Sequence, residues 1–83
     1  SFVAVGKRRR EVLQKLKEKS MSQPELKSIT SMYKAHTSRA LNELVEKKLI
    51  VCINPKDRAF KFYKINALGK HVLSEVEKIL KFK

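Results

Sequence analysis

Met32-Tyr33-Lys34-Ala35-His36-Thr37-Ser38-Arg39-Ala40-Leu41-Asn42-Glu43-Leu44-Val45-Glu46-Lys47-Lys48-Leu49-Ile50 is the stretch on which the reading of the fold turns. Taken as a helix over residues 33–47, it gathers Leu41, Leu44 and Val45 on one side, with Thr37 and the Lys48 stem beside them. The other side carries Ala35, His36, Arg39, Glu43 and Glu46, with Asn42 at its edge. Charge also divides along the axis: Lys34, His36 and Arg39 fall in the first half and both carboxylates in the second. A helix that pushes its first turns into the groove of a polyanion has this pattern, and so has an ordinary solvated helix. The flanking sequence has to separate the two.

Upstream, Ser22-Gln23-Pro24-Glu25 is a helix start: Ser22 as N-cap, Glu25 closing a capping box at the third helical position, and Pro24 in the first turn, where a missing N–H costs nothing. The short helix that follows turns Leu26 and Ile29 inward and ends in a Thr30-Ser31 turn. Before it, Val12, Leu13 and Leu16 give a helix over residues 7–19 its core stripe. Met21, a lone apolar residue between two serines, plugs the core. Lys7-Arg8-Arg9-Arg10 opens that first helix and reads either as a solvated turn or as a phosphate-contacting patch.

Downstream, Leu49-Ile50-Val51-Cys52-Ile53 is β-branched and reads as a strand, Asn54-Pro55-Lys56-Asp57-Arg58 is turn chemistry, and residues 59–65 form the return strand. The two strands make a hairpin with a basic tip. Asn66 caps a last helix over residues 67–82, in which Leu68, Val72, Leu73, Val76, Ile79 and Leu80 hold a 3–4 spacing throughout.

Eighty-three residues make one domain. Its parts are an arm over residues 1–6, a three-helix core over 7–48, a hairpin over 49–65 and the closing helix. A chain of this size buries about 60–65% of its unfolded surface, which makes its stability modest unless a second subunit adds to it. No apolar run approaches the ~20 residues of a membrane-spanning helix, so the expected location is cytoplasmic. The single cysteine, Cys52, has no internal disulfide partner and reads as a buried, inert thiol. With His36 and His71 as the other soft ligands, no zinc spacing exists, and no metal or cofactor is expected. The charge of +12, from 20 basic and 8 acidic residues, calls for a polyanionic partner. With no nucleophile–base constellation, no glycine-rich phosphate loop and only two glycines, the chain does not read as an enzyme.

The order of helix, short helix, tight turn, longer helix, β-hairpin and helix, together with Ser22-Gln23-Pro24-Glu25-Leu26, residues 38–50, and Asn54-Pro55-Lys56-Asp57-Arg58 running gap-free to Leu68-Gly69, resembles the winged helix-turn-helix regulators. It is similar in particular to the small archaeal ones related to MarR and ArsR proteins, over residues 11–73. The resemblance implies an α+β, mainly α fold: three helices, a hairpin wing and a C-terminal helix. It implies sequence-specific binding of double-stranded DNA by a transcriptional regulator, nucleoid-associated in the cytoplasm, with no small-molecule effector site inferred. Helix 33–47 would lie in the major groove, bringing Tyr33, Lys34, Ala35, His36, Ser38, Arg39 and Asn42 to the bases, with Ser22 and Gln23 beside them. Lys56 and Arg58 at the wing tip would meet phosphate or the minor groove.

Two departures stand out. Ala59 replaces the second arginine of the family's wing pattern, on which the usual Asp–Arg brace and minor-groove insertion rest, and Arg58 substitutes for it only in part. Lys48 stands where a glycine follows the recognition helix, so Lys47 or Lys48 is expected at positive φ, at a cost of roughly 1 kcal/mol.

Tyr63 and Ile65 take the inward alternation of the wing, which leaves Phe60 and Phe62 turned the other way. Residues 2–5 or a partner subunit are expected to cover them. Val72, Val76, Ile79 and Leu80 exceed what one small core uses, and imply a homodimer. Two other functions fit the same residues: a protein-interaction module of transcription or replication machinery, and a non-specific chromosomal DNA-binding protein. The basic helix and wing favour DNA over the interaction module.

Overall fold

The computed structural model describes residues 6–81. In chain order it has α1 (Lys7–Glu18), β1 (Met21–Ser22), α2 (Gln23–Thr30), α3 (Lys34–Glu46), β2 (Ile50–Cys52), β3 (Phe62–Ile65) and α4 (Ala67–Lys81). This is the expected winged helix, mainly helical with a small antiparallel sheet. Residues 1–5 of the arm, one of the two expected covers for Phe60 and Phe62, lie outside the described residues, as does Phe82 at the end of the expected last helix.

The sheet has three strands in the order β1-β3-β2, all antiparallel. Residues 21–22, read from sequence as a core plug and a helix cap, pair with β3 in the register Met21↔Tyr63 and Ser22↔Phe62. Two residues are too few to show alternation, so this strand has no signature of its own. It exists because β3 presents a second edge. The wing strands are shorter than expected, and residues 53–61 form the tip without strand structure.

One core joins all the elements. Val12, Leu13 and Leu16 of α1, Leu26 of α2, Ala40, Leu41 and Leu44 of α3, Leu49 just after it, Met21, Ile50, Tyr63 and Ile65 of the sheet, and Leu73 and Val76 of α4 are its buried members. Thr37 is also buried, its hydroxyl satisfied by donating to the Tyr33 carbonyl at 3.1 Å. Three expected positions differ. Ile29 is exposed because the eight-residue α2 seats only Leu26 against its neighbours. Val45 lies a quarter-turn from the line of buried α3 residues and is exposed as well, whereas Ala40, which carries almost no hydrophobic signal, is buried on that line. Val76 is buried in this chain's own core, so it does not belong to the surplus apolar surface. Val72 is half-buried against the core, while Ile79 and Leu80 are exposed.

The caps follow the chemistry of the sequence. Ser22 Oγ accepts from the Glu25 amide at 3.3 Å, as an N-cap should. The Glu25 carboxylate does not close the box; it pairs with Lys19 Nζ at 3.1 Å. At the end of α3 the Leu49 amide donates to the Leu44 carbonyl and the Lys48 amide to the Val45 carbonyl, both at 3.0 Å, with Lys48 at φ 61°. That is a Schellman cap, with buried Leu44 and Leu49 as its hydrophobic contact and a lysine at the position that favours glycine. Ser31, at φ 56°, is a second left-handed residue, in the turn between α2 and α3.

Lys48→Gly is therefore expected to raise stability by about 0.5–1 kcal/mol, the left-handed penalty less the entropy of a more flexible unfolded chain. In a thermal melt this is a rise of about 2–8 °C for a domain of this size, which Lys48→Ala should not reproduce.

Asn66 joins this cap to α4. Its Oδ1 accepts from the Gly69 amide at 2.7 Å, capping the helix as expected, while its Nδ2 donates to the Lys48 carbonyl at 2.6 Å and its backbone N–H to the Leu49 carbonyl at 3.2 Å. The end of the central helix and the start of the last one are thus held by a single residue.

Candidate nucleic-acid interface

The buried Thr37, Ala40, Leu41 and Leu44 fix the rotation of α3. At 3.6 residues per turn, the line directly opposite them carries Ala35, Arg39, Asn42 and Glu46. Asn42, at the edge in the sequence reading, belongs to the centre of the outward face. Its flanks are different surfaces. On one side Lys34, Ser38 and Asn42 line an open groove with Gln23, Pro24 and Lys27 of α2 and with Arg58, Ala59, Lys61 and Tyr63 of the wing. On the other, His36, Arg39, Ala40 and Glu43 line a second groove with Gly6, Lys7, Arg8 and Arg9.

The expected site residues separate accordingly. Lys34, Ser38, Asn42, Gln23 and Arg58 meet in the wing groove; His36 and Arg39 face the α1 groove; Ala35 stands on the ridge between. Ser22 is half-buried and its hydroxyl is committed to the helix cap. Tyr33 is 78% exposed and lines neither groove; its ring leans on His36 at a centroid distance of 5.9 Å. Lys56 is exposed at the wing tip, outside the groove that Arg58 lines.

Two cations outside the expected site set, Lys27 and Lys61, also line the wing groove. Lys27 lies one turn beyond Gln23 on the same side of α2, a spacing that could have placed it. Lys61 alternates with Phe60 and Phe62, and so points with Tyr63 toward the groove.

The wing tip replaces the absent arginine brace with side chain-to-backbone hydrogen bonds. Asp57 Oδ1 accepts from the Ala59 amide at 2.8 Å and the Phe60 amide at 3.0 Å. Asn54 Nδ2 donates to the Phe60 carbonyl at 2.6 Å, and Asn54 Oδ1 accepts from the Phe62 amide at 2.7 Å. The Phe60 and Ala59 amides hold the Asp57 carboxyl below its usual value. The tip is thereby closed as an Asx-type turn that needs no arginine at position 59, and Arg58 is oriented from a braced loop.

Behind the tip, Val51, Ile53, Phe60 and Phe62 are 46, 54, 60 and 41% exposed, and the pairing Val51↔Lys64 sets Lys64 on their face. Cys52 is half-buried rather than buried, with Sγ 4.0 Å from Asn54 Oδ1. Burial pushes the Tyr63 phenol above its ordinary value. Among the described residues, no helix is long and apolar enough to cross a membrane.

No protein-family model matches the sequence, and no curated protein matches it. Solved structures do. A mutant MarR from E. coli superposes with a TM-score of 0.83 at 20% identity, over 93% of this chain and 58% of that one. The transcriptional regulator BldR from Sulfolobus solfataricus gives 0.80 at 24% identity, over 89% and 54%. The same mutant MarR complexed with operator DNA gives 0.77 at 21% identity, again over 89% and 54%. This chain spans a little over half the length of the proteins it superposes on. At these identities the likeness is one of fold: the chain has the winged-helix fold of MarR-type transcriptional regulators.

Proposed function

We propose that this chain is a sequence-specific, double-stranded DNA-binding domain of a transcriptional regulator, with α3 in the major groove and the wing on the adjacent backbone. The observation that carries this reading is the outward line Ala35-Arg39-Asn42, which runs between two basic grooves and is backed by a wholly buried opposite face. Its side chains match base-edge chemistry: Arg39 for guanine O6 and N7, Asn42 for adenine, Ala35 for a thymine methyl. Lys34, Lys27, Arg58 and Lys61 stand where the backbone on the wing side would pass, and Lys56 reaches the same backbone from the tip. Glu46 closes the line and marks where the groove contact stops. That a MarR structure of this fold is complexed with operator DNA supports the reading.

The apolar flank of α4, where the exposed Leu68 and Ile79 share a helical line with the half-buried Val72 and the exposed Leu80 continues past the end of the core, is the surface we assign to a second copy. A two-fold dimer would set two recognition helices on half-sites about one helical turn apart.

Titration of a duplex across salt tests the main reading. About six phosphate contacts per dimer give log K against log[salt] a slope near −5. Binding that does not change between about 50 and 200 mM salt would contradict it.

A further inference from the structure

The groove on the α1 side of α3 is built from two elements. Lys7 and Arg8, both exposed, come from the first turn of α1; His36 and Arg39 come from α3. The carboxylate in the same groove is already engaged. Glu43 Oε1 and Oε2 accept from Arg9 Nε and Nη2, each at 3.4 Å, in a two-point pair that ties α1 to α3. Gly6 leaves room for it, since a Cβ at position 6 would meet Arg9 Nη1 at 2.8 Å. The pair neutralises Glu43 locally and leaves Lys7, Arg8 and Arg39 as an uncompensated cationic rim, across the recognition helix from the wing groove.

We infer that Lys7 and Arg8 form a second backbone clamp, which binds the phosphates on the lip of the major groove opposite the wing. This rests on the DNA reading above and extends it. A major groove about 12 Å wide has a phosphate strand on each lip, and a helix of about 10–12 Å diameter fills it. The elements packed on the two flanks of α3 therefore each face one strand. The wing and Lys27 take one, and the first turn of α1 takes the other. Contacts of this kind fix the register of the helix without reading bases. Held on both lips, α3 cannot roll about its axis, which is what the outward line Ala35, Arg39 and Asn42 needs if each side chain is to meet the same base pair every time.

The test uses the full chain, a duplex selected for tight binding and a scrambled duplex of the same length. Lys7→Gln with Arg8→Gln should make the slope of log K against log[salt] shallower by about 2 for each chain bound, equally on both duplexes. The ratio of affinities for the two duplexes should stay the same. A charge-matched control, Lys15→Gln with Lys17→Gln at the other end of α1, should leave the slope close to that of the parent. A K7Q/R8Q slope equal to the parent's, or a control that lowers the slope as much, overturns the clamp while the DNA reading stands. Absence of duplex binding by the parent chain overturns both.

Discussion

Gly69→Ala is expected to destabilise this domain by about 3–5 kcal/mol, combining about 1–3 kcal/mol or more of overpacking with hydrogen bonds worth about 1 kcal/mol each. Gly69 is buried in the first turn of α4. A Cβ there would run into the Leu49 carbonyl oxygen and stand 2.7 Å from Ile65 Cγ1. The first of these is backbone, held in place by the Schellman cap of α3 and by the Asn66 amide, so it cannot yield as a side-chain tip would. The helix must lift instead. Lifting it pulls Asn66 from the Lys48 and Leu49 carbonyls and Leu73 and Val76 from the core. For 83 residues, total stability of about 0.05–0.15 kcal/mol per residue leaves little in reserve. At about 4–8 °C per kcal/mol, the midpoint of a melt followed by circular dichroism should fall by more than about 12 °C. A Gly69→Ala melt within a few degrees of the parent would show that α4 does not dock on this carbonyl.

Arg39→Ala is the change expected to act most strongly on recognition. Arg39 sits at the middle of the outward line of α3 and also borders the α1 groove. If it binds a guanine in bidentate fashion, its loss relaxes preference at one or two base pairs by about 1–3 kcal/mol each, roughly 5- to 150-fold. Arg39→Lys should not restore the preference, because an ammonium presents a point charge and no planar fork. Lys56→Gln should behave differently, weakening every sequence to a similar degree. The same pair of duplexes distinguishes them: discrimination falls in the Arg39 variants and is retained in the Lys56 variant. Equal losses on both duplexes for Arg39→Ala would make it a phosphate contact.

The features legible in the sequence were those decided by neighbours in the chain. The Ser22 and Asn66 caps, the left-handed residue after α3, the buried Thr37, Leu41 and Leu44 of α3 and the inward Tyr63 and Ile65 all depend on spacings of two to four residues, and all stand in the structure, whereas Val45 does not. What escaped depends on distant partners. The β1 strand exists only because β3 is there to pair with it. Ile29 and Val76 exchanged their expected roles because the amount of core available to a helix is set by its neighbours and not by its own stripe. The wing brace was sought in an arginine that the chain lacks, whereas Asn54 reaches eight residues along to Phe62 to do the same work. The division of the α3 face into two grooves follows from where α1 and the wing pack, and the Arg9–Glu43 pair that shapes one of them spans 34 residues.

Selection of bound DNA from a random double-stranded pool tests most directly whether α3 reads the major groove of a duplex. At low and at near-physiological salt, the unsubstituted chain should enrich one common motif, with two inverted half-sites centred about 10 base pairs apart if the dimer forms. Arg39→Ala should enrich the same motif with one position blurred. Enrichment of unrelated sequences at low salt that vanishes at higher salt, or recovery of no DNA at either, would contradict groove reading by α3.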